Sequence, residues 1–280
     1  LILPAIVSPN VVKKERSMQH IVSLSGGTAS AVAAHRVIER YGANATTLWF
    51  ADTNWEDDDL YRFINDLEEF FGIPIHRHKD GRTPLEVAEQ RSIIPNQRRA
   101  PCSLELKVYP FRKFIANLPK PLTVHLGLDW TEMHRAERPR KEYEAMAGVT
   151  LDLPLLWQPV ANPPHRNITE QWGIKTPRLY DLGFPHNNCG GRCVKQGLKE
   201  WMRLRQTFPQ RFDEVRDWET AQRNKGGARA HYAIARDQSK AKVTPLPLVE
   251  LEDKNMGRQL ALTLEWEGNS DNISCFCEYA

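Results

Sequence analysis

The stretch HIVSLSGGTASAVAAHRVIERYG, residues 20–42, is the most informative part of the chain. Residues 20–24 are a short apolar, β-branched run of the kind that forms a buried strand. Residues 29–41 place Ala31, Ala33, Ala34, Val37 and Ile38 at helical spacing, and Gly42 is a suitable stop. Between them lie Ser25, Gly26, Gly27, Thr28, Ala29 and Ser30, a turn with two glycines and three hydroxyls. Glycine lets backbone pass close to a ligand, and the helix that follows offers unpaired N–H groups at the positive end of its dipole. Those features suit an anion, most simply a phosphate. Glycines at a strand–helix turn also serve packing alone, so both readings stand at this point. The turn is not a Walker loop, because no Gly-Lys-Ser/Thr follows, and it lacks the G-x-G-x-x-G dinucleotide pattern.

The alternation continues outward from this stretch. Residues 45–51 (ATTLWFA) read as a second strand. Residues 57–71 read as an amphipathic helix with acids at its start, and 73–76 as a third strand. Helices are expected over 84–90 and 109–117, and a strand over 122–128. Strands alternating with helices predict an α/β fold: an open, mostly parallel twisted sheet with helices on both faces. Beyond Leu151 the pattern loosens into the proline-rich LPLLWQPVANPP. A short helix over 168–173, a longer one over 193–208 and an extended run over 245–251 are expected there.

The net charge of +3 does not by itself call for nucleic acid. Cations do cluster: Arg91, Arg98 and Arg99; Arg135, Arg138, Arg140 and Lys141; Arg223, Lys225, Arg229 and Arg236. Such clusters bind phosphates or form a solvated face. No stretch approaches the roughly 18–20 apolar residues of a membrane span, and LILPAIV is too short for a signal-peptide core. The chain therefore reads as cytoplasmic, with no membrane partner. Its five cysteines are Cys102, Cys189, Cys193, Cys275 and Cys277. An odd count in a reducing compartment argues against a disulfide framework and suits a metal better.

Five blocks in order carry a resemblance. SGGTAS (25–30) resembles the S-G-G-x-D-S PP-loop of the ATP pyrophosphatase superfamily. FADTNWE (50–56), PCSLELKVYP (101–110) and GLDWTEMHRA (127–136) are similar to successive motifs of the phosphoadenylylsulfate (PAPS) reductase-like branch. LYDLGF (179–184) followed by CGGRC (189–193) is similar to its Y-x-x-G-f…C-x-x-C ending. The set covers about residues 18–200, nearest in character to phosphorothioation and thiolation members. The resemblance implies an adenine nucleotide alpha hydrolase-like fold and the use of ATP with Mg2+. It divides the chain into a lead-in over 1–17, a nucleotide-binding domain over 18–160, and a mixed C-terminal region over 161–280 that packs back on the core. It places the nucleotide on Ser25, Gly26, Gly27, Thr28, Ser30, Asp52 and Thr53. It gives catalytic roles to Ser25, Asp52, Lys107 and Arg135, with Arg138 as a further phosphate partner. Two departures stand out: the motif aspartate is Ala29, and the Glu-Cys-Gly-Leu-His string of assimilatory PAPS reductases is absent.

The cysteines fit this picture with a third departure: the doublet is Cys102-Ser103, the Cys189–Cys193 pair has one residue more than C-x-x-C, and the fourth ligand must come from the tail. In the relatives, a cysteine at the Cys102 position and a C-x-x-C pair supply cluster ligands. Here Cys102, Cys189 and Cys193 are joined by a fourth thiol from the tail, Cys277 rather than Cys275. A [4Fe-4S] cluster is the first reading; Zn2+ and free, redox-active thiols are the alternatives. The implied activity is adenylation of an acceptor for sulfur transfer. DNA or tRNA is a candidate acceptor and a cysteine desulfurase a candidate sulfur donor. Two other readings are kept: a sulfonucleotide (APS/PAPS) reductase, and a nucleotide-binding module without turnover that acts through partners.

Overall fold

A near-continuous run of apolar residues with few charges is buried on both faces once strands pair in parallel. A computed structural model describes residues 18–159, 165–237 and 243–252. Its strands β1 (Gln19–Leu24), β2 (Thr46–Asp52), β3 (Ile75–Lys79), β4 (Leu122–Leu126) and β5 (Val149–Asp152) form one sheet in the order β3-β2-β1-β4-β5. All four pairings are parallel. The chain moves outward from β1 to β3 on one side and from β4 to β5 on the other. The order therefore reverses between β1 and β4, the place where open α/β sheets leave a crevice beyond the carboxyl ends of their strands.

Helices cover both faces. On one, α1 (Thr28–Tyr41) and α2 (Asp58–Phe71) bury Ala31, Ala34, Val37, Leu60, Phe63, Ile64 and Leu67 against Val22, Leu24, Leu48 and Phe50. On the other, α5 (Tyr109–Ala116) and α6 (Glu137–Glu144) pack Phe111, Ile115 and Tyr143 against Ile21, Trp49, Val124 and Leu151. The α/β architecture expected from the sequence is the one found. Two shorter helices complete this half: α3 (Pro84–Gln90), started by a Thr83–Glu86 capping box, and α4 (Pro101–Ser103), which runs through a π turn (Leu104–Val108) into α5.

The third strand begins at Ile75, later than the sequence suggests, because Gly72 takes φ +63 to end α2 and pairing starts only at Leu48–Ile75. The C-terminal half carries α7 (Arg166–Gln171), α8 (Arg178–Asp181), α9 (Leu198–Thr207), α10 (Pro209–Asn224) and a two-stranded ribbon of β6 (Ala235–Asp237) and β7 (Thr244–Leu246). Helix α9 starts at Leu198, not Cys193, because the segment before it is turn. The extended run expected over 245–251 gives way to a 3-10 turn, Leu248–Glu252. Trp201, Leu204, Phe212, Val215 and Ile234 form a core of their own, which also takes in Trp55, Leu85 and Ile94 from the sheet half. Among the described residues no helix is long and apolar enough to cross a membrane.

Asp57 ties the halves together. It caps α2 by accepting from the Asp59 N–H at 2.9 Å, and it has no exposed surface. It also receives Arg178 through two bonds, of 2.8 and 2.9 Å, and Arg211 at 2.7 Å.

Candidate functional site

The loop over residues 25–30 stands at the switch point. Gly26 adopts φ +81, which residues other than glycine rarely adopt. The loop hydroxyls brace it: Ser30 Oγ accepts from the Ser25 N–H at 3.1 Å and donates to the Gly27 carbonyl at 2.9 Å. Ser25 Oγ donates to Ser30 Oγ at 3.1 Å. Helix α1 has neither a side-chain cap nor an acidic residue in its first turn, whereas α2 has Asp57, Asp58 and Asp59 at its start. The dipole end of α1 is thus left for an anion from elsewhere.

From the neighbouring strand, Gly127 follows β4 and touches the loop. A Cβ there would lie 2.8 Å from Ser30 Cα and 3.0 Å from Ser30 N. The backbones of the two switch-point strands therefore meet at a contact only glycine permits. Two groups from the C-terminal half close over the loop. Asn187 donates to the Gly26 carbonyl at 2.9 Å. The Tyr180 hydroxyl sits where a Cβ on Gly27 would come within 2.9 Å. Burial pushes the Tyr180 phenol up, against the pull of Thr28 beneath it. Ala29 packs beside the apolar cluster of Val32, Ala33 and Leu155.

Asp52 ends β2. Its Oδ1 accepts from the Asn54 N–H at 2.8 Å and from the Tyr61 hydroxyl at 2.7 Å, while Oδ2 stands 3.7 Å from Lys79 Nζ. Burial and the bond to Asp52 both push the Tyr61 phenol up. Oδ2 is thus the Asp52 oxygen with capacity for a further ligand. The other cations read as phosphate partners each have a carboxylate close by. Lys107 lies 3.7 Å from Glu56, Arg135 2.6 Å from Glu132, and Arg138 3.0 Å from Glu142.

Thr53, Cys102, Ser103, Lys107, Cys189, Cys193 and Lys195 line one small cavity beside the crevice. The structure thus brings together three cysteines spread widely along the chain, none in a disulfide. Lys195 is buried among them, at 4 % exposure. Cys189, Gly190 and Gly191 are all left-handed, at φ +52, +57 and +80. Such a run strains a cysteine by about 1–2 kcal/mol. It also aims the Cys189 N–H at Glu56, which accepts it, and the Gly190 carbonyl at Arg211. The two glycines serve this fixed shape rather than flexibility. The cavity holds about 10 Å³, room for one water. No three His, Cys, Asp or Glu side chains among the described residues are grouped to hold a single metal ion. The donor chemistry thus suits a thiolate-bound group and the buried lysine suits its negative charge, while the packing as it stands is closed. The fourth proposed ligand, Cys277, and its neighbour Cys275 lie outside the described residues.

Glu56 joins the site from the end of the FADTNWE block, where the motif gives it no role. It accepts from Thr53 Oγ1 at 2.8 Å and from the Cys189 N–H, and stands 3.7 Å from Lys107. It therefore connects the strand end to the cysteine cavity. Tyr180 is the tyrosine of the LYDLGF block, although the block does not tell that it closes over the loop; Asn187 and Lys195 lie outside the motif blocks, and a loop contact reveals the first and burial the second.

The phosphoadenosine phosphosulfate reductase domain profile matches residues 19–185. The chain belongs to that family. The match spans the sheet, the loop over 25–30 and Tyr180, and ends before the Cys189–Cys193 segment. Among solved structures, the chain is similar to a phosphoadenylyl-sulfate (PAPS) reductase from Candida auris in its phosphate complex. The two are 16% identical with a TM-score of 0.43, over 61% of this chain and 80% of that one. A search of curated proteins found no match.

Tyr180 gives a direct test of the loop. The Tyr180→Phe variant is expected to bind ATP several-fold tighter in calorimetry, because it removes a hydroxyl that competes for Thr28, a difference of about 0.5–1.5 kcal/mol. Unchanged affinity would mean that the hydroxyl does not cap the binding groups.

Proposed function

We propose that this family member is a PP-loop enzyme that binds ATP in the crevice between β1 and β4 and adenylates an acceptor for sulfur transfer. The observation behind the reading is the meeting of the 25–30 loop with Gly127 at the switch point, beside a helix N-terminus without acids. In this reading Ser25, Gly26, Gly27, Thr28 and Ser30 bind the phosphates with amides and hydroxyls, and Asp52 and Thr53 border the nucleotide. An acceptor oxygen attacks the α-phosphorus, the bond to the bridging oxygen breaks, and pyrophosphate leaves. A sulfur nucleophile then bonds to the activated atom of the acceptor, the bond to oxygen breaks, and AMP leaves. Lys107 and Arg135 supply positive charge near the phosphates. Catalysis rests on positioning and charge neutralisation.

Magnesium, when bound, offsets phosphate charge, and Asp52 Oδ2 is the oxygen assigned to it. Cys102, Cys189, Cys193 and Cys277 would hold an iron–sulfur cluster, which would tie the 189–193 segment to the start of α4. DNA or tRNA serves as acceptor in this reading, and a cysteine desulfurase as sulfur source.

A second reading, nucleotide binding without turnover, is favoured by Ala29, since a methyl group packed against an apolar cluster stands where the motif has a carboxylate. Pyrophosphate release separates the two. Protein prepared without oxygen and given ATP and magnesium is expected to release pyrophosphate when single-stranded DNA or tRNA is added. ATP binding with no release under any acceptor would establish the module instead. Sulfite formed from PAPS and thioredoxin would move the assignment to a reductase.

A further inference from the structure

The two cation clusters at 91–99 and 223–236, which lie far apart in sequence, meet at one cavity. It measures about 330 Å³ and is lined by Arg98 and Arg99 on one wall and by Arg229, Tyr232 and Arg236 on the other. Among the described residues no acidic one lines it. The first wall is a tight turn: Asn96 and Arg99 exchange backbone hydrogen bonds of 2.9 and 3.0 Å, and Asn96 Oδ1 accepts the N–H groups of Arg98 and Arg99. The second wall is equally fixed. Arg236 pairs with Pro245 across the β6–β7 ribbon, and the Tyr232 carbonyl accepts from Arg223. The floor is apolar, with Ile94 and Ala233 buried.

None of the four arginines forms a salt bridge among the described residues; Arg229 bonds the neutral Gln222 at 3.1 Å. Glu89, which lies near enough to feel Arg229, is already paired with Lys225 at 2.8 Å. Many arginines elsewhere in this protein are matched by acids, as at Arg62, Arg82 and Arg211, while Arg36 and Arg223 bond backbone carbonyls. Four guanidiniums gathered without counter-charge among the described residues repel one another and favour an anionic partner. Arg98 and Arg99 are exposed on the rim and Arg229 and Arg236 are half-buried, which spreads the charge over a path rather than around a point. The Tyr232 ring is 51% exposed beside them.

We infer that this cavity binds single-stranded nucleic acid, with the arginines on successive phosphates and one base stacked on Tyr232. Cavities of this size take a ligand the size of one nucleotide, while the rim charge requires the chain to continue past it. The second wall lies wholly beyond residue 185, where the family match ends. The inference supplies a surface for the nucleic-acid acceptor named above. It rests on that reading only for the chemistry that follows binding.

The test is fluorescence anisotropy with a short labelled single-stranded oligonucleotide over a salt series. The quadruple Arg98→Gln, Arg99→Gln, Arg229→Gln, Arg236→Gln variant is expected to bind about tenfold or more weakly at low salt. Its slope of log affinity against log salt should fall by about 0.7 for each phosphate that is no longer neutralised. Tyr232→Ala should weaken binding with the slope unchanged. A control carrying Lys113→Gln, Lys175→Gln and Lys199→Gln, exposed cations elsewhere, should bind as wild type. ATP calorimetry on the quadruple variant should be unaltered, which keeps this result separate from the nucleotide reading and shows that the variant is folded. Equal binding by wild type and quadruple variant, equal weakening in the control, no oligonucleotide binding by wild type, or binding of free nucleotide and pyrophosphate alone would each overturn the inference.

Discussion

Replacing Asp57 with alanine is expected to destabilise the protein by about 3–4 kcal/mol. Two arginines converge on a carboxylate with no exposed surface, and removing one member of a buried pair typically costs about 3–5 kcal/mol. The lower part of that range applies because Arg178 and Arg211 keep 43% and 21% of their side-chain surface and can return to water. Loss of the α2 cap adds about 1 kcal/mol. In a chain of this size such a loss lowers Tm by roughly 10 °C, readable by calorimetry or denaturant titration. Asp57→Asn keeps the cap and should lose less.

The pH dependence has a definite sign. Burial alone would raise the Asp57 carboxyl, but the bonds from Arg178 and Arg211 outweigh it and hold the group below the usual carboxylate range. Its contribution is therefore complete above the unfolded value, about pH 4, and is lost as pH falls through the depressed folded value. The stability gap between wild type and Asp57→Asn should be flat at neutral pH and narrow only below about pH 4. A gap that narrowed near neutral pH would point to a different group.

The second large effect falls on binding. Gly127→Ala should weaken ATP binding by about one to two orders of magnitude with little loss of fold. Its Cβ would meet Ser30 Cα at 2.8 Å and the Ala29 carbonyl carbon at 3.2 Å, both backbone atoms that cannot rotate away. Overpacking of this kind costs about 1–3 kcal/mol. Here the strain falls on the first turn of α1. A variant with native Tm and native ATP affinity would show that the loop is not held by this contact.

Much of the nucleotide half was legible because each element there follows one period. Residues 20–24 are buried throughout and centred on Ile21, Val22 and Leu24, α1 and α2 repeat their apolar positions, and Gly42 and Gly72 mark the helix ends. The motif blocks then placed the loop and the three cysteines of the small cavity. Three elements were hidden for physical reasons. Helix α6 buries only Pro139 and Tyr143, too few for a stripe. Helix α10 buries Glu219 and Gln222 beside Phe212 and Val215. Glu219 there accepts the N–H groups of Ile234 and Leu248, so a polar residue fills a core position by capping backbone that a hydropathy pattern cannot see. Strand β5 has only four residues. At the site, the motif block contains Tyr180 but does not show that it covers Gly27, and Lys195 lies outside every block and is found only by its burial beside the cysteines.

Main-chain amides of the turn after β1 are the groups proposed to bind the phosphates of an adenine nucleotide. The most direct measurement is a titration of isotope-labelled protein with ATP, following backbone amide resonances. The largest shifts are expected at Gly26, Gly27, Thr28, Ala29 and Ser30, with Gly127 moving alongside them and the same site saturated by a non-hydrolysable analogue. Shifts confined to other segments, or none at all, would contradict this role for the turn.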